Sequence, residues 1–389
     1  MAKSTRVKKP KKPRGFPIWP HPSGRWCKKH KGRFIYFGPW DDREGALARY
    51  HKWSADPEAD LSSDAATVKE LANAFMASKE RMLESGELSP RSYKDYYRTC
   101  GNVVKFFGRL RLIDDLKPAD FGRLRAHLAR KRNAVSLGNE INRVRILFKY
   151  AVDSGLTDRA VRYGSDFEKP SRKTLRKARA ANGRRTFEAA ELRKIIAAAD
   201  DPMQSMVLLG INCGFGQSDV AEMPQSALDL KGGWVNYPRP KTGVDRRVKL
   251  WPETVKALKE AIASRPKPAD RGDEGLVFLT QHGHRWVRVK RNERGEFVEV
   301  DSLIREFQKL LDAVGDVPRL GFYSLRHTHR TVSDEAKDQP AANAIMGHVP
   351  ASDDMSAVYR QTISDERLKA VVDCVRKWLW PRGAKPKPR

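Results

Sequence analysis

The chain has 389 residues, is 40% hydrophobic and 32% charged, and carries a formal net charge of +28. That length accommodates about two or three domains with cores of their own. No apolar run is long enough to span a bilayer and the amino terminus lacks the apolar stretch of a signal peptide, so a cytoplasmic protein is expected, with no membrane partner. Four scattered cysteines (Cys27, Cys100, Cys213, Cys374) without a C-x-x-C pair argue against a disulfide framework and a zinc finger. The basic residues cluster in the amino-terminal tail, in Arg123–Arg132 and in Lys169–Arg185, a distribution that suits a polyanion and, for a protein this basic, nucleic acid.

Residues 1–15 are Lys, Arg and Pro with almost nothing apolar, and are expected to form a disordered basic arm. In 16–60, aromatic and basic residues alternate around a His30-Lys31-Gly32 turn signal, which predicts a hairpin. Asp41–Trp53 then reads as a short helix. His21, Cys27 and His30 fall short of the four ligands that a structural zinc wants. Residues 65–162 read as a bundle of four helices, with stripes Val68, Leu71, Phe75; Tyr93, Tyr97, Val103, Phe107; a helix opened by Pro118; and Ile141, Val144, Leu147. Arg123, Arg125, Arg130, Lys131 and Arg132 are its candidate phosphate contacts. Residues 163–185 read as a basic linker.

The last domain spans 186–380, followed by a tail at 381–389. It is expected to be mostly helical with a small antiparallel sheet. Its strands are predicted over Leu228–Pro238, Arg246–Trp251 and Leu276–Leu279, with Lys241 in a turn and a polar insertion loop at Arg291–Gly295. A helix opens near Tyr323. Tyr323, Arg326 and Arg330 fall three and four apart and so share a face, while Phe322, Leu325, Val332 and Ala336 make an apolar stripe. Then come Gly347-His348 and Tyr359. A cation, a proton carrier and a hydroxyl gathered in one segment suit work on a phosphodiester.

Tyr323-Ser-Leu-Arg326-His327, Gly347-His348 and Tyr359 resemble, in that order, the carboxy-terminal signature of the tyrosine recombinases, the phage integrase family. Tyr323 stands where that signature has His. The layout of 16–60 resembles the arm-type DNA-binding domains of some phage integrases, and 65–162 resembles the family's core-binding domain. The resemblance implies a mainly α, α+β architecture and a DNA recombinase or integrase that cleaves and rejoins strands. Tyr359 would attack the phosphodiester and leave a 3′-phosphotyrosine, with no metal, ATP or other cofactor. Arg326 would grip two phosphate oxygens, Lys241 would protonate the leaving 5′-oxygen and His348 would bond the phosphate. His327 would serve the core. Tyr323 could donate a hydrogen bond but, with a phenol pKa of about 10, could not act as a base. The partners implied are double-stranded DNA and further copies of the chain in a synaptic tetramer.

One departure stands out. The family sets its first catalytic arginine in Thr-Gly-x-Arg-x-x-Glu, and the matching stretch here is Cys213-Gly-Phe-Gly216-Gln-Ser-Asp219. Glycine occupies the arginine position. Arg330 and Arg239, and beyond them Arg246, are candidates to compensate, as are free N–H groups at a helix start beginning at Gly216. Two readings follow: an active metal-independent recombinase, or a DNA-binding protein on the same fold that no longer cuts. A type IB topoisomerase would share the chemistry but not the amino-terminal arm domain.

Overall fold

The computed structural model describes residues 9–30, 33–55, 57, 66–181, 183–293, 297–349 and 362–381. Residues 1–183 and 184–389 form two compact units. Among the described residues no helix is long and apolar enough to cross a membrane.

The first unit holds two hydrophobic cores. The smaller belongs to an antiparallel sheet of β1 (Trp19–His21), β2 (Arg25–His30) and β3 (Arg33–Pro39), in that spatial order. Helix α1 (Arg43–Ala55) lies against it and closes a core of Ile18, Trp26, Ile35, Phe37, Ala46 and Trp53. The hairpin expected around His30 is therefore present as a strand pair, although its Lys31-Gly32 tip lies outside the described residues.

The larger core belongs to α2 (Val68–Glu84), α3 (Pro90–Phe107), α4 (Pro118–Ala129) and α5 (Ala134–Asp153). Local chemistry sets the helix starts. Thr67 Oγ1 accepts from the Glu70 N–H at 3.2 Å while the Glu70 carboxylate takes the Thr67 N–H at 2.8 Å, a reciprocal capping box. Ser89 and Asn133 cap α3 and α5 in the simpler one-way fashion.

The stretch expected as a linker, 163–185, differs from expectation. Phe167 is fully buried in the bundle core, its ring 5.5 Å from Phe121, and Tyr163 stacks on it at 5.7 Å. Arg172–Ala181 then forms a helix, α6. Two aromatic side chains outweighed the surrounding charge, because each buries more apolar area than any neighbouring residue.

The second unit is mostly helical around one core. Its first helices are α7 (Ala189–Ala198), α8 (Met203–Asn212) and the short α9 (Gln217–Ala221). Every residue of α8 except Gln204 is buried, so this helix is the spine on which the others pack. A three-stranded antiparallel sheet follows: β4 (Leu228–Asp229), β5 (Trp234–Asn236) and β6 (Arg247–Lys249). The single strand expected over Leu228–Pro238 is thus two, divided where the Gly232 N–H bonds the Asp229 carboxylate at 2.7 Å. Leu276 makes only an isolated bridge to Pro224, so Leu276–Leu279 is not a regular strand.

Helix α10 (Pro252–Ala263) leads to a two-stranded ribbon, β7 (Val287–Arg291) with β8 (Phe297–Asp301), around the place where an insertion loop was expected. Then come α11 (Ser302–Val314), α12 (Tyr323–Ser333), α13 (Gln339–Met346) and α14 (Asp365–Leu379). Val371, Val372 and Val375 of α14 are fully buried in this unit's own core.

Candidate active site

Helix α12 carries the central arginine. Its buried face holds Leu325, Arg326, Thr328, His329 and Val332. Arg326 is 2% exposed, and its guanidinium donates to two backbone carbonyls, Gly214 and Met346, each at 2.6 Å. It thereby ties α12 to the end of α8 and to the end of α13, and keeps the rest of its five N–H groups for another acceptor. Burial, and next the charge of Arg239, draws its pKa down.

His329 is the histidine that serves the core. It is fully buried, and its Nδ1–H donates to the Ile211 carbonyl at 2.8 Å. Burial holds it neutral, with a pKa lowered to about 4. His327, expected in that role, is only half-buried, with its ring edge-on to Tyr323 at 5.3 Å. A signal for this was in the sequence: 322, 325, 329 and 332 follow the apolar stripe, and His329 falls on it where His327 does not.

Helix α13 ends in Gly347, which adopts the left-handed conformation (φ 59°). The His348 N–H closes the helix on the Asn343 carbonyl at 3.0 Å, a Schellman-type end. No other residue suits position 347, because a Cβ there would sit 2.8 Å from Arg246 Cδ and 3.0 Å from Arg239 Cβ. Half-buried His348 follows, its pKa lowered by burial first and then by Arg326 and Arg239.

The β5–β6 connection docks on this point. Beyond the strands its ladder continues, with the Tyr237 N–H to the Arg246 carbonyl at 2.9 Å and the Arg239 N–H to the Val244 carbonyl at 2.8 Å. Arg239 Nη1 and Thr242 Oγ1 both donate to the Gly347 carbonyl, at 3.2 and 3.3 Å. Exposed Lys241 lies between them in the turn. The structure therefore gathers Arg326, His348, Arg239 and the turn bearing Lys241. Tyr359 lies outside the described residues.

The opposite wall is the stretch Cys213–Asp219. Gly216 precedes α9, and its N–H donates to the Asp219 carboxylate at 2.8 Å. The Gly216 N–H itself is therefore not free for phosphate. The other Asp219 oxygen accepts from Arg246 at 3.0 Å. The Arg246 side chain is 0% exposed, lying over the rings of Phe215 and Tyr237, so it supports the wall from beneath and presents no charge to a ligand. Tyr323, 43% exposed, covers Gly216: a Cβ at position 216 would lie 3.2 Å from its ring carbons. Arg330, on the same helix, is engaged by Asp334 and, at 3.3 Å, by Gln339. As a candidate to compensate at Gly216, Arg330 is therefore committed elsewhere in this structure.

In the first unit the candidate phosphate contacts divide. Arg130 and Lys131 are exposed. Arg123 pairs with Asp120 yet keeps 70% of its side chain exposed. Arg125 donates through Nε to the Glu168 carbonyl at 2.8 Å. Arg132 is held at 3.1 Å by Glu140, which is 1% exposed, and is a structural partner of that buried carboxylate. Among the described residues no group of three or more His, Cys, Asp or Glu could hold a metal ion. His21 Nδ1 is engaged with Ser23 at 3.0 Å, and burial pushes the Cys27 thiol up to about 11.

The sequence profile of the phage integrase family matches residues 185–364, the span that holds this whole constellation. Residues 185–364 are a domain of the phage integrase family, the tyrosine recombinases. Solved integrases share its fold. A lambda integrase dimer bound to a COC′ core site has a TM-score of 0.55 at 14% identity, over 89% of this chain and 94% of that one. A lambda integrase tetramer bound to a Holliday junction has a TM-score of 0.53 at 14% identity, over 87% and 96%. The Tn1549 transposon integrase in complex with transposon right end DNA has a TM-score of 0.53 at 14% identity, over 80% and 100%. A comparison with curated protein sequences finds no match.

Proposed function

We propose that this tyrosine recombinase cleaves and rejoins double-stranded DNA through a 3′-phosphotyrosine at Tyr359, using its own cations where other nucleases use metal. The observation that carries the reading is the meeting at the Gly347 carbonyl. There the turn bearing Arg239 and Lys241 is pinned to the loop bearing His348, and Arg326 holds the neighbouring Met346 carbonyl from the other side. Three segments thus present a buried guanidinium, an imidazole and a turn with an exposed lysine around one junction, and a pentacoordinate phosphate needs such cations and donors.

In the cleavage step the Tyr359 oxygen forms the new P–O bond as its phenolic proton passes to solvent, and the P–O bond to the 5′-oxygen breaks. Arg326 and His348 donate to the non-bridging oxygens, and Lys241 delivers the proton that turns the leaving oxygen into a hydroxyl. The covalent ester conserves the bond energy, so the reverse attack by a 5′-hydroxyl reseals the strand without ATP. The 16–60 segment and the bundle with its exposed Arg123, Arg130 and Lys131 supply phosphate contacts along the duplex, and a tetramer of chains brings two sites together.

A nicked suicide substrate, which loses its 5′-fragment after cleavage, tests this directly. The wild-type chain should accumulate a covalent adduct that Tyr359→Phe abolishes while duplex binding persists, and chelators should change neither. Binding that falls steeply with salt but yields no adduct would leave the non-cutting DNA-binding protein as the correct reading, the one favoured by glycine at 216.

A further inference from the structure

We propose that Arg239 is the second guanidinium of the site and contacts the scissile phosphate in place of the arginine missing at Gly216. The inference rests on the recombinase reading above and adds to it a catalytic residue from a different element. Elimination comes first. Arg246 is fully buried and paired with Asp219, and Arg330 is engaged by Asp334 and Gln339. Arg239 is half-buried, and its side chain makes a single hydrogen bond among those to described residues, 3.2 Å to the Gly347 carbonyl through Nη1. Most of its donor fork is therefore open.

Its placement is firm. The Arg239 N–H bonds the Val244 carbonyl at 2.8 Å, and its own carbonyl accepts from Thr242 at 3.0 Å and Gly243 at 2.8 Å. Three backbone bonds hold its Cα at the base of the turn, two residues from Lys241 and packed on Gly347 next to His348. A charged group on so fixed a base loses little freedom when it grips an anion.

Electrostatics points the same way. Arg239 is the foremost charged neighbour acting on Arg326, and it acts on His348 too. Among the described residues Asp219 is the carboxylate that acts on Arg326, and its two oxygens are engaged by Arg246 and by the Gly216 N–H. Two guanidinium groups crowded together without a free carboxylate repel each other, and an anion that bridges them removes the repulsion. A phosphodiester entering at Arg326 and His348 meets Arg239 as its next cation.

The test compares Arg239→Ala and Arg239→Lys with wild type on suicide DNA carrying either a normal phosphodiester or a methylphosphonate at the scissile position. The methylphosphonate replaces one charged non-bridging oxygen with a neutral methyl group. On the normal linkage Arg239→Ala should slow adduct formation by about 100-fold or more, with duplex affinity nearly unchanged. Arg239→Lys should lie between, since it keeps the charge and loses the fork. On the neutral linkage the deficit of Arg239→Ala should shrink to less than about tenfold, because the charge to be balanced has gone. An equal deficit on both linkages would overturn the proposal and make Arg239 a holder of the turn, and so would an undiminished rate in Arg239→Ala. If Arg239→Ala fails to fold, the ratio of rates on the two linkages for Arg239→Lys carries the same decision. No adduct from the wild-type chain on either linkage would overturn the recombinase reading itself, a result distinct from the others.

Discussion

The two walls of the site are built on different rules. The wall of α12, the end of α13 and the β5–β6 turn is held by short polar contacts to backbone: Arg326 on two carbonyls, and Arg239 and Thr242 sharing a third. The wall of Cys213–Asp219 has glycine at 216 and no guanidinium facing the site, yet it is a closed structure, with Asp219 capping Gly216 and neutralising buried Arg246. Tyr323, the other departure, lies directly over Gly216. The two unusual residues are thus one contact, a glycine making room for a ring, and charge is missing from this wall where packing is not.

Breaking the first wall should have the largest effect. Gly347→Ala forces a left-handed φ on a residue with a Cβ and drives that Cβ into Arg246 and Arg239. Backbone strain and overpacking together should cost about 2–5 kcal/mol. Urea denaturation should register this loss, and adduct formation should fall by about 100-fold or more because the seat of Arg239 and His348 shifts. A variant as stable and active as wild type would show that the Gly347 junction does not organise the site.

The second effect tests the joint between the walls, where His329 bonds the Ile211 carbonyl next to Gly214. Its pKa in the folded chain is about 4, below the ordinary 6.5. The unfolded chain therefore binds the extra proton between these values, and stability rises with pH across that window. The contribution, on the order of 3 kcal/mol, is present above pH 6.5 and is lost as pH falls toward 4. His21, His327 and His348 are also lowered and steepen the same slope. Denaturation midpoints of wild type and His329→Gln at pH 5 and pH 7.5 should show a clearly smaller pH dependence for the variant. Equal slopes would mean that His329 is not buried neutral.

Much of this was legible in the sequence, and the failures have physical causes. Helices with strong stripes and caps, such as Val68–Glu84 behind Thr67, form as their patterns predict. Arg326, His348 and the Lys241 turn were singled out by residue type, and the segments that carry them do meet in the fold. Reasoning by composition failed at 163–185, where Tyr163 and Phe167 reach the bundle core despite a basic surrounding. It also missed the β7–β8 ribbon, although Val287-Arg-Val-Lys alternates with the period of a strand. The Arg330 expectation failed for a subtler reason. Helical spacing says which face a side chain leaves from, but a carboxylate one turn on decides where a long side chain ends.

The third effect concerns charge on the second wall. Gly216→Arg requires Tyr323 to give by a few tenths of an ångström, and that half-exposed ring can do so. Because Arg239 already supplies the cation in the proposal above, Gly216→Arg alone should change adduct formation by less than about tenfold. Added to Arg239→Ala, it should recover a substantial part of the lost rate, and more of it when Tyr323→His clears the ring. Contacting positions couple by about 0.5–3 kcal/mol, so the Gly216→Arg and Tyr323→His effects should be non-additive. Strict additivity would show that glycine and tyrosine were acquired for unrelated reasons.

The smallest effect is expected at Arg330, the other candidate to compensate at Gly216. Its guanidinium forms an i,i+4 pair with Asp334 in the turn after α12 and reaches Gln339 at the start of α13. Such pairs at the surface contribute roughly 0.2–1 kcal/mol. Arg330→Ala should lower stability within that range and change adduct formation by no more than about twofold, since no hydrogen bond of the site runs through it. One indirect effect remains. Arg330 is among the charges that lower the pKa of His348, though it ranks behind burial, Arg326 and Arg239. Removing it should therefore let the His348 pKa rise slightly, which the pH profile of adduct formation would report as a small shift toward higher pH with the plateau unchanged. A fall of about 100-fold in that plateau would have the opposite meaning: Arg330 would leave Asp334 for the phosphate when DNA binds, and the second cation would come from the wall of α12 instead of the β5–β6 turn.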